Sequence, residues 1–251
     1  MEIVQKKIKI GTPTEMRLEG VLHQPGWPGN TGVVVCHGMM SSKDSPKHIG
    51  IAAALAERGH MALRFDFSGR GESPGTLLGL TFARQVTECR AAIAELRRTG
   101  VTRVALTGSS MGGAVAALTA VLEPLAALAT MATVGRTDLL PERAVGKEGL
   151  LQWERDGFIE VDGEKVGFAL VEDARRIDLP KEAGKIKCPW LILHGEKDEV
   201  IPVEDSEILH EASGGSVLEI VAGADHRFSD EKHREFITNR IVDFLDQKLR
   251  R

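Results

Sequence analysis

Tyrosine is missing from the 251 residues, and aromatic side chains make up only 4% of them. No phenolic hydroxyl is on hand to grip a substrate. Cysteine is scarce: Cys36, Cys89 and Cys188 stand far apart, odd in number and with no CxxC. That excludes a disulfide scaffold and a zinc knuckle. Lys plus Arg is 32 against 36 for Asp plus Glu, a net charge of −4, whereas a nucleic-acid binder carries a basic excess. No nucleic-acid partner is expected. No apolar run reaches the ~18 residues of a membrane span, so no stable membrane insertion is expected either. The opening MEIVQKKIKI alternates charged and apolar residues and lacks the unbroken apolar stretch of a signal peptide. The expected compartment is the cytoplasm.

Hydrophobic residues are 42% and charged residues 27%, which is ordinary globular usage and excludes disordered and collagen-like chains. The length suits one full-size domain that buries roughly 70–75% of its unfolded surface. Residues 3–10 and 16–22 alternate in period two and read as an edge hairpin. From Gly32 the pattern changes. The continuous apolar run at 33–36 suits a parallel strand covered on both faces. Helix at 49–56, strand at 61–67, helix at 82–96, strand at 104–107, helix at 111–122 and strand at 125–131 follow. The alternation resumes with strand 190–194, helix 203–212, strand 217–221 and helix 232–249. Such βαβ repetition predicts an α/β fold with a mostly parallel sheet. Between 134 and 186 the alternation breaks. That segment is expected to be a small cap inserted into a core domain of residues 1–133 and 187–251. It should hold a β-hairpin, because Asp162-Gly163 suits a type I′ turn between 158–161 and 164–168.

The chemistry centres on Gly108-Ser109-Ser110-Met111-Gly112, a G-x-S-x-G with an apolar strand before it and a helix after it. That is the strand–turn–helix setting of a nucleophile elbow. Ser110 then stands at a helix N-terminus, where negative charge is favoured. A serine hydroxyl needs a base. Of eight histidines, His226 is best placed, just after the last strand. His23, His48, His60, His210 and His233 read as surface residues, and His37 and His194 as turn-formers. The base needs an acid, and Asp198 lies one strand–helix–strand unit before His226, with Glu199 as fallback. Oxyanion donors are expected from the backbone N–H groups of Met111 and of Met39, in the His37-Gly38-Met39-Met40 loop. Met40, Trp153, Phe158, Val200 and Ile201 are candidates for an apolar substrate pocket. No metal or cofactor is required.

Taken in order, the strand-HG, the Asp66-Phe67-Ser68-Gly69-Arg70-Gly71-Glu72-Ser73 run, GSSMG, HGEKDEVIP and GADH resemble an α/β-hydrolase over nearly the whole chain. In detail the chain is similar to the small-cap serine esterases: the feruloyl/cinnamoyl esterase-like, monoacylglycerol lipase-like and serine aminopeptidase-like group. The resemblance implies an eight-stranded sheet with helices on both faces. It also implies Ser110 as nucleophile, Asp198 as acid and His226 as base, with Asp66 and Arg70 tying a loop together. The expected activity is a carboxylesterase acting on a small-molecule ester with a short to medium acyl group. Alternatives are a cinnamoyl/feruloyl esterase or monoacylglycerol lipase, a serine aminopeptidase or amidase, and a non-catalytic binding module on the same fold. A dehalogenase or epoxide hydrolase would carry a carboxylate where Ser110 stands. The sequence leaves the oligomeric state open.

Overall fold

A computed structural model describes residues 3–250 of the chain. Met1, Glu2 and Arg251, at the ends of the expected core domain, lie outside the described residues. An antiparallel pair, β1 (Val4–Gly11) and β2 (Arg17–Gln24), opens the fold. There follow β3 (Thr31–Cys36), α1 (Pro46–Glu57), β4 (Met61–Phe65), α2 (Phe82–Arg98), β5 (Arg103–Ser109), α3 (Met111–Leu122) and β6 (Ala127–Met131). Next come α4 (Leu140–Asp156), the hairpin β7 (Phe158–Val161) and β8 (Glu164–Gly167), α5 (Ala169–Ala174) and α6 (Leu179–Ala183). The chain then returns to the sheet with β9 (Trp190–Gly195), α7 (Val203–Ser213), β10 (Val217–Val221) and α8 (Glu231–Leu249).

The eight-stranded sheet has the order β1-β2-β4-β3-β5-β6-β9-β10, and β2 alone runs against its neighbours. Period two sends successive strand residues to opposite faces, which makes two cores. Val33, Val35, Leu191 and Leu193 pack with Ile51 and Leu55 of α1 and Ile237 and Ile241 of α8. Val34, Leu106 and Ile192 pack on the other face with Val86 and Ile93 of α2 and Val115 of α3. Strands covered on both sides must be apolar throughout, and every residue of β4, β6 and β9 is buried.

Strand β4 ends at Phe65, short of the expected 67. Asp66 donates its N–H to Glu19 O at 2.9 Å, and Phe67 donates to His37 Nε2 at 3.0 Å, so both leave the β3 ladder. Because β4, β3, β5, β6, β9 and β10 are parallel, their carboxyl ends share one edge, where loops of such sheets build sites.

Candidate active site

Ser110 sits between β5 and α3 with φ +55° and ψ −124°. A non-glycine residue rarely adopts such a backbone. The turn closes because its neighbours have no side chain. A Cβ on Gly108 would lie 2.3 Å from Gly112 O, and one on Gly112 would lie 2.3 Å from His37 O and 2.6 Å from Cys36 O. All three obstacles are backbone and cannot swing aside. Gly112→Ala is expected to destabilise the fold by about 2 kcal/mol or more, read as a lowered urea midpoint. An unchanged midpoint would mean that β3 and α3 separate freely.

His226 follows β10, and its Nδ1 lies 2.7 Å from Asp198 Oδ2. Asp198 follows β9. Its Oδ1 accepts the N–H groups of Val200 (2.9 Å) and Ile201 (2.8 Å), which fixes the carboxylate plane. His194, on β9, brings its Nε2 to 3.2 Å from Asp198 Oδ2 and 2.9 Å from Ile201 O, and its Nδ1 is 2.6 Å from Ser206 Oγ. Burial alone would raise the Asp198 carboxyl, but the bonds from His194 and His226 and the Ile201 amide outweigh it and hold the group well below the usual carboxylate range. His226 Nε2 makes no hydrogen bond among the described residues, to Ser110 or otherwise. Both residues line the same cavity.

Glu199, the fallback acid, is turned away, and the other acids nearby are engaged elsewhere. Glu196 accepts Gly223 N–H at 2.8 Å, Asp225 accepts Ser229 N–H at 2.7 Å, and Glu199 is exposed.

The loop after β3 is held from two sides. His37 is buried, and its Nε2 accepts the Phe67 N–H. Its proton is therefore on Nδ1, which donates to Gly38 O at 2.7 Å. A trans peptide points its C=O and N–H in opposite directions, so pinning the Gly38 carbonyl turns the Met39 N–H the other way. A Cβ on Gly38 would touch Ser110 Cβ at 3.3 Å, so the loop passes directly beside the elbow. Neither the Met39 nor the Met111 N–H has a partner among the described residues. Arg70 reaches over from the next loop and donates to Met40 O (3.3 Å) and Ser41 O (3.2 Å). Asp66 accepts from Lys43 N–H at 2.7 Å, Lys43 Nζ at 2.8 Å and Glu72 N–H at 2.9 Å.

Gly38, Met39, Ser110, Met111 and His226 open onto one cavity of about 680 Å³. Residues 33–238 match the alpha/beta hydrolase family. The chain belongs to that family. It is similar to the bovine mitochondrial palmitoyl-protein thioesterase ABHD10, with 24% identity over 229 residues, 86% of this chain and 73% of the relative. Est1E from Butyrivibrio proteoclasticus with bound ferulic acid superposes with a TM-score of 0.85 at 22% identity, covering 97% of this chain and 100% of Est1E. Mouse alpha/beta hydrolase domain-containing protein 10 has a TM-score of 0.75 at 20% identity, covering 97% of this chain and 99% of that one.

In this α/β-hydrolase, the expected pocket residues divide. Met40, Val200 and Ile201 line the cavity. Trp153 and Phe158 do not, which corrects their expected place. Trp153 is buried, donates Nε1–H to Val166 O at 3.0 Å and meets Phe168 edge-on, so it pins α4 to the hairpin. Phe158 carries the Lys165 ammonium 4.4 Å over its ring. From α4 the cavity receives Leu140 and Ala144 instead, one helical turn apart on one face.

The lining also carries charge: Lys47 from α1, Arg227 from the loop after β10, Arg234 from α8, and Asp162 from the hairpin tip. Three histidines expected at the surface, His23, His48 and His60, are buried. His194, expected in a turn, lies beside Asp198. It opens the HGEKDEVIP run, four positions before Asp198, and that spacing is the signal that places it there. Among the described residues no helix is long and apolar enough to cross a membrane.

Proposed function

We propose that this chain is a serine hydrolase that cleaves carboxylic esters, or the related thioesters, of short to medium acyl groups. The observation that carries this is the placement of Ser110 in a strained elbow between two uncommitted amides, on the cavity that also receives the Asp198-bound His226. Ser110 Oγ attacks the acyl carbonyl while His226 Nε2 takes its proton. The N–H groups of Met39 and Met111 receive the oxyanion. His226, oriented by Asp198, returns the proton to the leaving alcohol or thiol, and water activated by the same imidazole frees the acid. Met39, Met40, Leu140, Val161 and Ile201 supply apolar contact for an acyl chain.

The thioester half of the proposal draws on the similarity to the ABHD10 thioesterases. An aminopeptidase needs acids around a substrate ammonium, and this lining holds Asp162 against Lys47, Arg227 and Arg234, which favours the ester over the aminoacyl substrate. The cytoplasmic expectation rests on the N-terminal pattern, while the ABHD10 relatives are mitochondrial by name.

A fluorophosphonate probe is expected to label Ser110 stoichiometrically, as mapped by peptide mass spectrometry, and p-nitrophenyl butyrate to be turned over. An unlabelled, inactive protein would leave the fold as a binding module.

A further inference from the structure

The cavity is charged in a way that ester hydrolysis alone does not require. Lys47 and Arg227 line it, and neither has an ion pair or hydrogen bond among the described residues. Cations close by are neutralised: Arg143 by Asp205 at 2.9 Å and Arg136 by Asp138 at 2.8 Å. Arg234 is also in the lining, with its guanidinium donating to the carbonyls of Phe228 and Ser229 and so bracing the loop that carries His226 and Arg227. Asp162 faces the same space from the hairpin and pairs with none of the three. The chain as a whole is anionic, at −4, so this cluster is local. Lys47 is half-buried beside the Phe228 ring, and burial lowers its ammonium to about 8 despite the nearby Asp225 and Asp198. A cation withdrawn from water without a partner is unfavourable unless an anion arrives. Arginine adds a planar fork that matches a carboxylate or a phosphate.

We infer that Lys47 and Arg227 form a subsite for an anionic group, a carboxylate or a phosphate, carried on the leaving alcohol or thiol of the substrate. The inference rests on the hydrolase function proposed above. The leaving side is argued from the base: His226 delivers its proton to the leaving group, and Lys47 and Arg227 line the same cavity as His226. The apolar residues from α4 and the Met39-Met40 loop remain for the acyl chain.

The test compares 3-carboxyphenyl butyrate and 3-phosphonooxyphenyl butyrate with the neutral 3-carbamoylphenyl butyrate, on the wild-type chain and on the Lys47→Met and Arg227→Gln variants. At least one anionic ester is expected to exceed the neutral one about tenfold in kcat/KM, as one charge-assisted contact predicts, and the advantage should shrink as salt is raised. In either variant the ratio should fall toward one. Arg227 is exposed, so its variant tests the idea even where Lys47→Met folds poorly. A wild-type ratio at or below one for both anions overturns the inference while leaving the hydrolase intact. An advantage that survives in both variants overturns it as well. If no ester is hydrolysed and the fluorophosphonate leaves Ser110 unlabelled, the hydrolase function falls and the subsite falls with it.

Discussion

Ser110→Ala is expected to lower kcat/KM for p-nitrophenyl butyrate by about 10⁴-fold or more, with no loss of stability beyond a few tenths of a kcal/mol. The magnitude follows from what the substitution deletes. It removes the one oxygen that forms the acyl bond, while the Met39 and Met111 amides and the His226–Asp198 pair stay in place. What survives is the residual catalysis of an oxyanion site that polarises a carbonyl for water. The fold is spared because alanine keeps the Cβ, so the strain of φ +55° is the same in both proteins. Ser110 makes its local contacts through the backbone, donating N–H to Met131 O at 3.0 Å and offering its carbonyl to Gly113 N–H at 3.0 Å. Activity within tenfold of the wild type would mean that another group is the nucleophile.

Mild acid is expected to weaken the fold through its buried histidines. His37 and His23 are buried and each has its pKa lowered to about 4, first of all by burial. Burial likewise pushes His48 well down, and the neighbouring Lys47 ammonium adds to it. Hydrogen bonding gives an independent reason for two of them. His37 Nε2 accepts the Phe67 N–H, and His23 Nε2 accepts Arg64 Nε–H at 2.9 Å, bonds that a protonated ring cannot keep. The sign follows from proton counting. An unfolded histidine titrates near 6.5, so between pH 6.5 and 4 the unfolded chain binds more protons than the folded one. Stability is then fully present above pH 6.5 and falls as pH drops toward 4. At pH 5 His37 alone contributes a loss of about 2 kcal/mol, and His23 and His48 act in the same direction. A net stability of roughly 5–15 kcal/mol is sensitive to that. Urea midpoints at pH 7 and pH 5 check it: a clearly lower midpoint at pH 5 is expected, and coincident curves would show that these rings are protonated in the folded protein.

Those rings also mark where reading along the chain stops. His23, His48 and His60 look like surface residues because each stands at the end or on the flank of an element. They are buried because partners 29 to 186 positions away close over them: His60 binds Thr31 and Asp246, His48 binds Ser109, and Arg64 binds His23. Trp153 shows the opposite case. Its size suggested a pocket wall, but its N–H found the Val166 carbonyl and turned it into the core.

The alternation of strand and helix, by contrast, was plain in the residues. Helix 111–122 and strand 217–221 were placed to the residue, because periodicity, strand apolarity and terminating glycines act over a few neighbours. The elbow is equally plain in the G-x-S-x-G pattern, since a turn in which a Cβ on Gly112 would lie 2.3 Å from His37 O admits no side chain there. The order of Ser110, Asp198 and His226 followed from which strands precede them. How far apart their side chains lie, that His194 also reaches Asp198, and that Lys47 and Arg227 face one cavity without forming an ion pair among the described residues follow from helices and loops packing across a sheet. Those contacts join residues far apart in the chain, and no local periodicity encodes them.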